Sequence, residues 1–85
     1  MAFVLTTEGK KQELIGTELE DLQKAVGGNI EYVPLPYESP FLYMYCNEEG
    51  KLHGLEPNWG ATALINFPDI IVGDVVIMEE GDEDE

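Results

Sequence analysis

Cys46 and His53 are the residues best suited to covalent chemistry, and each is the only one of its kind in the chain. A cysteine nucleophile requires a nearby base that accepts its proton, and a hairpin turn between these two residues would bring them together. Spacing alone is weak evidence, however, and the sequence shows no third group that would orient the histidine. We therefore interpret Cys46 as a small buried strand residue and His53 as an exposed one, and we expect no catalytic residues and no enzymatic activity.

Glu48 and Glu49 are the best-placed oxygen ligands for a hard cation, with Asp74 or the C-terminal acids as partners. Calcium-binding loops place their oxygens at alternating positions around a required glycine, and this sequence lacks that order. A structural zinc site requires four cysteine or histidine ligands, and the chain has two such residues. We expect neither a metal nor a cofactor.

A loop that contains Asn58, Trp59 and Thr62 is the candidate site for a small ligand, with Tyr43 on a neighbouring strand. Tryptophan in a loop rich in glycine and proline usually packs against the core or binds a ligand or partner, because an exposed indole ring lowers solubility. Asn58 and Thr62 add hydrogen-bonding groups to the same loop. In the alternative interpretation, which we favour slightly, Trp59 covers a thin core and Asn58 stabilises the turn.

The charge balance is the strongest compositional feature of the chain. Eighteen acidic residues face four lysines, arginine is absent, and the net charge is −14. Six of the acids lie in residues 79–85, so twelve remain against four lysines, a net charge of −8. Such a surface repels phosphate backbones and anionic membranes, which argues against direct binding to nucleic acid or membrane. The acids expected to face solvent and to meet a basic partner are Glu18, Asp21, Glu48 and Glu49.

Apolar runs and turn residues predict one helix packed on a small, mainly antiparallel sheet, an α+β fold of order β-α-β-β-(β)-β. We expect the helix to begin at a capping box formed by Thr17 and Glu20 and to end at Gly27-Gly28. The predicted strands are residues 2–5, 29–35, 41–47 and 70–78, the last bent or bulged at Gly73-Asp74, with a weaker strand at 52–55. Residues 10–16 are ambiguous, because Gly16 interrupts a run of helix formers, and residues 61–64 fit either a helical turn or a strand.

The chain is predicted to be one domain, residues 1–78, followed by a disordered acidic tail, residues 79–85. A single cysteine excludes a disulfide within one chain and fits a reducing compartment. The first residues do not resemble a signal peptide, and no apolar run approaches the roughly 20 residues of a membrane span. We therefore expect a cytoplasmic protein of unknown oligomeric state, for which a dimer is one option.

Four segments together resemble one family, the domain of unknown function 3846. They are residues 22–31 (LQKAVGGNIE), 47–55 (NEEGKLHGL), 58–64 (NWGATAL) and 71–74 (IVGD). The resemblance covers roughly residues 17–78 and implies no activity, but it does imply a viral or mobile-element context. Many members carry arginine where this chain has Trp59, a difference that argues against a shared anion-binding role for the loop.

The leading hypothesis is a non-enzymatic binding protein of phage or mobile-element type. Its acidic surface would bind a basic site on a host protein in the host cytoplasm. In one version of this hypothesis, the acidic surface imitates nucleic acid. The alternative is a small-molecule-binding domain that uses the loop from Asn58 to Thr62. An enzyme based on Cys46 and His53 is the weakest of the three hypotheses.

Overall fold

A computed structural model describes residues 2–14 and 16–79, which form a five-stranded antiparallel sheet with two short helices. In chain order the elements are β1 (Ala2–Leu5), β2 (Lys11–Glu13), α1 (Leu19–Val26), β3 (Ile30–Pro34), β4 (Phe41–Asn47), α2 (Trp59–Thr62) and β5 (Val75–Glu79). The predicted α+β class is confirmed. The undecided segments 10–16 and 61–64 contribute β2 and part of α2, respectively.

The strands lie in the order β2-β1-β5-β4-β3, and every neighbouring pair is antiparallel. The C-terminal strand β5 is therefore the central strand, and consecutive residues Val75, Val76 and Ile77 are fully buried. Consecutive side chains of a strand point to opposite faces, so their joint burial shows that both faces of the sheet are covered. β2 and β3 are the two edge strands.

Each face of the sheet packs against its own layer, and the two faces are named here after the helix that covers them. On the α1 face, Val4 and Val76 pack beneath Leu22 and Val26 of the helix. On the α2 face, Met44 and Ile77 pack beneath α2 and the loops on either side of it. The other core members of the α2 face are Phe3, Val33, Cys46, Ala61, Ile71 and Val75.

α1 begins one residue later than the sequence predicts. Glu18 is the residue that precedes the helix, and its backbone N–H donates to the Asp21 carboxylate at 3.1 Å. The predicted capping box of Thr17 and Glu20 is therefore wrong, because the capping role belongs to the residues one position further along the chain. The predicted helix end is confirmed, since Gly27 adopts a left-handed φ of 81° and donates to the Gln23 carbonyl.

Asp21→Ala is expected to lower the free energy of unfolding by about 1 kcal/mol, because it removes the carboxylate that accepts from the Glu18 N–H and that favours the positive end of the helix dipole. Thr17→Ala is the matched control and is expected to change stability by much less, since Thr17 is exposed and precedes the cap. Urea unfolding of both variants measures the difference. A larger cost for Thr17→Ala than for Asp21→Ala would place the helix start at Thr17 after all.

Three further differences between the predicted and observed elements have local causes. Residues 52–55 form turns instead of a strand, with the Leu55 N–H donating to the Gly50 carbonyl. The strand predicted over 70–78 begins only at Val75, because the predicted bend at Gly73, confirmed by its left-handed φ of 80°, separates the two parts of the segment. Glu79, predicted to lie in the tail, is the last residue of β5 and pairs with Phe41. The rest of the predicted tail lies outside the described residues.

Neither described helix, within residues 2–14 and 16–79, has the length and apolar character that crossing a membrane requires.

Candidate functional site

Asn58 is fully buried, and its side chain joins three separate parts of the chain. The amide nitrogen donates to the carbonyls of Leu5 and Gly73 at 3.0 and 2.9 Å, and the amide oxygen accepts from the Ala61 N–H at 3.0 Å. These bonds connect the end of β1, the bend before β5 and the start of α2. Asn58 therefore has no surface to offer a ligand, in agreement with the alternative interpretation in which it stabilises the turn.

Trp59 is 61% exposed, so it does not cover the core as that interpretation supposed. The Thr62 hydroxyl donates to the Asn58 carbonyl at 2.8 Å and accepts from the Ile71 N–H at 2.9 Å, so it too serves the fold. Tyr43 lies on the α1 face, in an aromatic cluster with Tyr32 and Tyr45. The four residues of the predicted ligand site thus do not converge on a shared pocket.

A groove of about 500 Å³ lies instead on the α2 face, beside the edge strand β3. One wall is β3, the floor includes Cys46, and the opposite wall is formed by the chain around residues 67–72. The apolar lining includes Val33, Leu52 and Phe67. The charged lining residues are Glu31, Glu48, Glu49, Lys51 and Asp69. We call this feature the acidic groove.

The acidic groove includes two of the four surface acids that the sequence singles out, Glu48 and Glu49. The other two, Glu18 and Asp21, lie at the start of α1. Asn47 donates to the carbonyl of Val26, so the turn that follows β4 lies at the other end of the same helix. With a rise of about 1.5 Å per residue, roughly 12 Å of helix axis separates the two pairs. The structure groups Glu48 and Glu49 with Glu31 and Asp69 instead.

One ion pair reduces the charge of the acidic groove without cancelling it. Lys51 forms an ion pair with Asp69, and this hydrogen bond is the main reason that the pKa of Asp69 is lowered. His53 lies 3.4 Å from Glu49, across one turn of chain, and both side chains are exposed. The groove carries four carboxylates and one ammonium, a net charge of −3 with His53 neutral. Among residues 2–14 and 16–79, no three acidic, cysteine or histidine side chains are arranged to hold a metal ion.

Glu31 and Asp69 were not among the residues predicted from the sequence. Glu31 could have been found, because a single carboxylate in an otherwise apolar strand must face solvent or a groove. Asp69 lies in a long connection between α2 and β5, and only the tertiary structure places it opposite β3.

The pKa of the Cys46 thiol is raised to about 11, chiefly by burial and also by the nearby Glu31 and Asp69 carboxylates, while Lys51 acts to lower it. The thiol is therefore protonated at neutral pH, in the state of a buried strand residue and not of an activated nucleophile. His53, the other member of the predicted pair, is exposed and lies beside Glu49.

Alkylation of Cys46 in the folded protein is expected to be slow at neutral pH and to accelerate up to about pH 11. Because the folded pKa lies above the usual 9.0, the neutral thiol contributes stability that is present below pH 9 and lost as the pH rises towards 11. The Cys46→Ala variant has no thiol and should not lose stability in this way. The difference in unfolding free energy between the native protein and Cys46→Ala should therefore become smaller between pH 9 and pH 11. Rapid alkylation of the folded protein at pH 7 would contradict the account of Cys46.

Searches of curated proteins and of solved structures return no match to this chain. The family described as Domain of unknown function (DUF3846) matches residues 1–85, the whole chain. This match extends the resemblance carried by the helix, turn and loop segments described above. The chain therefore belongs to the DUF3846 family.

Proposed function

We propose that this protein binds a partner protein with a cationic surface, and that the acidic groove is the binding site. The observation that carries the proposal is the combination of a groove of about 500 Å³ and a net charge of −3 in its lining. A groove supplies the concave, partly apolar surface that specific contacts require, and the carboxylates select the sign of the partner's charge.

The charge of the whole chain supports the same proposal. A net charge of −14 repels anions and attracts cationic surfaces over distances close to the Debye length, about 8 Å at physiological ionic strength. Charged walls of one sign around a groove focus that field and increase the rate of encounter. The groove then provides the short-range contacts that a diffuse negative surface lacks.

The proposal is one of binding and not of catalysis. The thiol of Cys46 lies at the groove floor with a raised pKa, and His53 is exposed beside Glu49. In the viral or mobile-element setting that the family resemblance implies, the partner is a host protein. A host surface that normally binds nucleic acid has the required charge, so the groove would compete with nucleic acid for it.

The test is capture of host proteins by the immobilised full-length chain, compared with two variants that each lack three carboxylates. The groove-neutral variant carries Glu31→Gln, Glu48→Gln and Glu49→Gln. The tail-neutral variant carries Asp82→Asn, Glu83→Gln and Asp84→Asn, so its net charge is the same. Mass spectrometry identifies the retained proteins at low salt and at about 0.15 M salt.

The proposal expects a small set of basic proteins that the native chain and the tail-neutral variant retain and the groove-neutral variant loses. Added DNA should release those proteins if their cationic surface is a nucleic-acid site. Equal retention by all three baits would contradict the proposal, because binding would then depend on something other than the groove carboxylates.

A further inference from the structure

Among the strands of residues 2–14 and 16–79, β3 has a neighbour on one side only, and its hydrogen-bond pattern shows which of its backbone groups are turned outwards. The Glu48 N–H donates to the Asn29 carbonyl, and the Leu35 N–H donates to the Leu42 carbonyl. Both pairs fit the β3–β4 register, in which Tyr32 lies opposite Tyr45. Residues of antiparallel strands alternate between bonded and non-bonded pairs. Odd-numbered residues of β3 therefore bond to β4, and Ile30, Tyr32 and Pro34 direct their backbone groups away from it.

The acidic groove follows this same edge. Four consecutive residues of β3, numbers 31–34, line the groove. Because successive side chains of a strand point to opposite faces, a cavity lined by all four residues reaches the backbone of this edge strand as well as the side chains of one face. Pro34 occupies an outward position, where the missing N–H costs no bond to β4.

We propose that the partner contributes an extended segment that adds to β3 as a sixth strand, with basic side chains on the α2 face and apolar side chains on the α1 face. This inference rests on the proposed function and specifies how the partner binds. The N–H and carbonyl groups of Ile30 and Tyr32 and the carbonyl of Pro34 bond to the segment, and side chains on its two faces determine which sequences bind.

The two faces of β3 require an alternating partner sequence. On the α2 face, a side chain beside Glu31 enters the acidic groove, where lysine or arginine satisfies the carboxylates. On the α1 face, a side chain beside Tyr32 meets a tyrosine ring that is 56% exposed, with the Tyr43 ring centre 5.0 Å from it. An apolar side chain there buries aromatic surface.

Charge excludes a second copy of this chain as the partner. Pairing of β3 with β3 of another copy brings two acidic grooves together, each with a net charge of −3. Like charges at an edge are a common means by which proteins prevent such pairing. The groove therefore selects a cationic segment.

The test uses the full-length protein and a short synthetic peptide of alternating lysine and valine, about as long as β3. Amide hydrogen exchange, read residue by residue by NMR, reports the Tyr32 N–H, which faces the open edge in the free protein. We expect the peptide to slow exchange at Tyr32 at least tenfold at saturation. A peptide of alternating glutamate and valine should have no effect. A lysine–valine peptide N-methylated at its valines should bind far more weakly, because the residue opposite Tyr32 in an antiparallel pair is a valine and its N–H is then missing.

Tyr32→Pro supplies a second measurement, because it removes the outward N–H and leaves the bonds to β4 in place. Tyr32→Ala is its matched control, since it removes the ring and keeps the N–H. A larger loss of peptide affinity in Tyr32→Pro than in Tyr32→Ala supports strand addition.

Saturable binding of the lysine–valine peptide with unchanged exchange at Tyr32 would overturn strand addition and leave the proposed function standing. Absence of any binding at low salt would also overturn it. Protection of Tyr32 that depends on protein concentration, without peptide, would identify a second copy as the occupant and equally overturn the inference. The proposed function fails separately, if the native and groove-neutral chains capture host proteins equally.

Discussion

Asn58→Ala is expected to lower the free energy of unfolding by about 3–6 kcal/mol, the largest effect of any single substitution considered. The change leaves two carbonyls and one N–H without the bonds that Asn58 makes, at roughly 1–2 kcal/mol for each group, since the bond to Leu5 is only partly buried. Small domains have a total free energy of unfolding of about 5–15 kcal/mol, so this substitution would remove a large part of it. Urea unfolding at neutral pH measures the loss, with Asn66→Ala, at an exposed position, as the matched control.

Asn58→Asp tests the contribution of the hydrogen bonds that Asn58 donates, because it changes the donor group and keeps the volume of the side chain. Aspartate has nearly the same shape, but its carboxylate faces the carbonyls of Leu5 and Gly73 without a hydrogen to donate. We expect a destabilisation as large as that of alanine at neutral pH, and a smaller one in acid, where the carboxyl group is protonated. A loss below 1 kcal/mol for both variants would show that the buried hydrogen bonds of Asn58 contribute little to the fold.

Reversal of the three groove carboxylates is the second prediction with a large effect. Glu31→Lys, Glu48→Lys and Glu49→Lys together replace three attractions by three repulsions. Each partly exposed charge pair is worth about 0.2–1 kcal/mol, so affinity for the lysine–valine peptide should fall at least about tenfold. The reversed groove should bind the glutamate–valine peptide instead, since the sign of the field has changed.

The matched control reverses three exposed acids away from β3, with Glu8→Lys, Glu13→Lys and Glu20→Lys. Three reversals add six charges, so both variants change the net charge from −14 to −8. The control should retain the preference for the lysine–valine peptide. If both variants exchange their preference, net charge and not the groove governs binding. If Trp59→Ala alone abolishes binding while charge reversal has no effect, the loop around α2 is the site.

Local sequence patterns predict most elements of this fold because their causes are local. The run FLYMYCN has strong strand propensity, and Gly27-Gly28 provides the left-handed residue at which α1 ends. The helix start was predicted one residue too early, because Thr17-Glu20 and Glu18-Asp21 are both acceptable capping pairs. Only the structure shows that Asp21 is the acceptor.

The role of Asn58 depends on contacts that are distant in sequence. Its side chain bonds to Leu5, 53 residues away, and to Gly73, 15 residues away. An asparagine in a loop beside tryptophan has the same appearance in the sequence whether it serves a ligand or the fold. The sequence raised both interpretations of the loop, and neither describes it fully, because Asn58 is buried while Trp59 is exposed.

The sequence predicts that the surface of the protein is acidic, but it does not predict where the acidic groove lies. The excess of acids is evident in the composition, and Glu48 and Glu49 were among the predicted surface residues. Their grouping with Glu31 and Asp69 depends on the packing of the chain around residues 67–72 opposite β3. That packing follows from Ile71, which is buried in the core of the α2 face, and no sequence pattern pairs it with β3.

Displacement of a captured host protein by the lysine–valine peptide is the most direct test of the central claim that the acidic groove is the binding site. The full-length chain is loaded with the purified host protein that it retains, the peptide is titrated, and bound peptide and released partner are both measured. The account predicts that the partner is released in proportion to the peptide bound, while the Tyr32 N–H stays protected throughout because the peptide replaces the partner on β3, and that the glutamate–valine peptide releases none. Retention of the partner on a chain saturated with the peptide would contradict it.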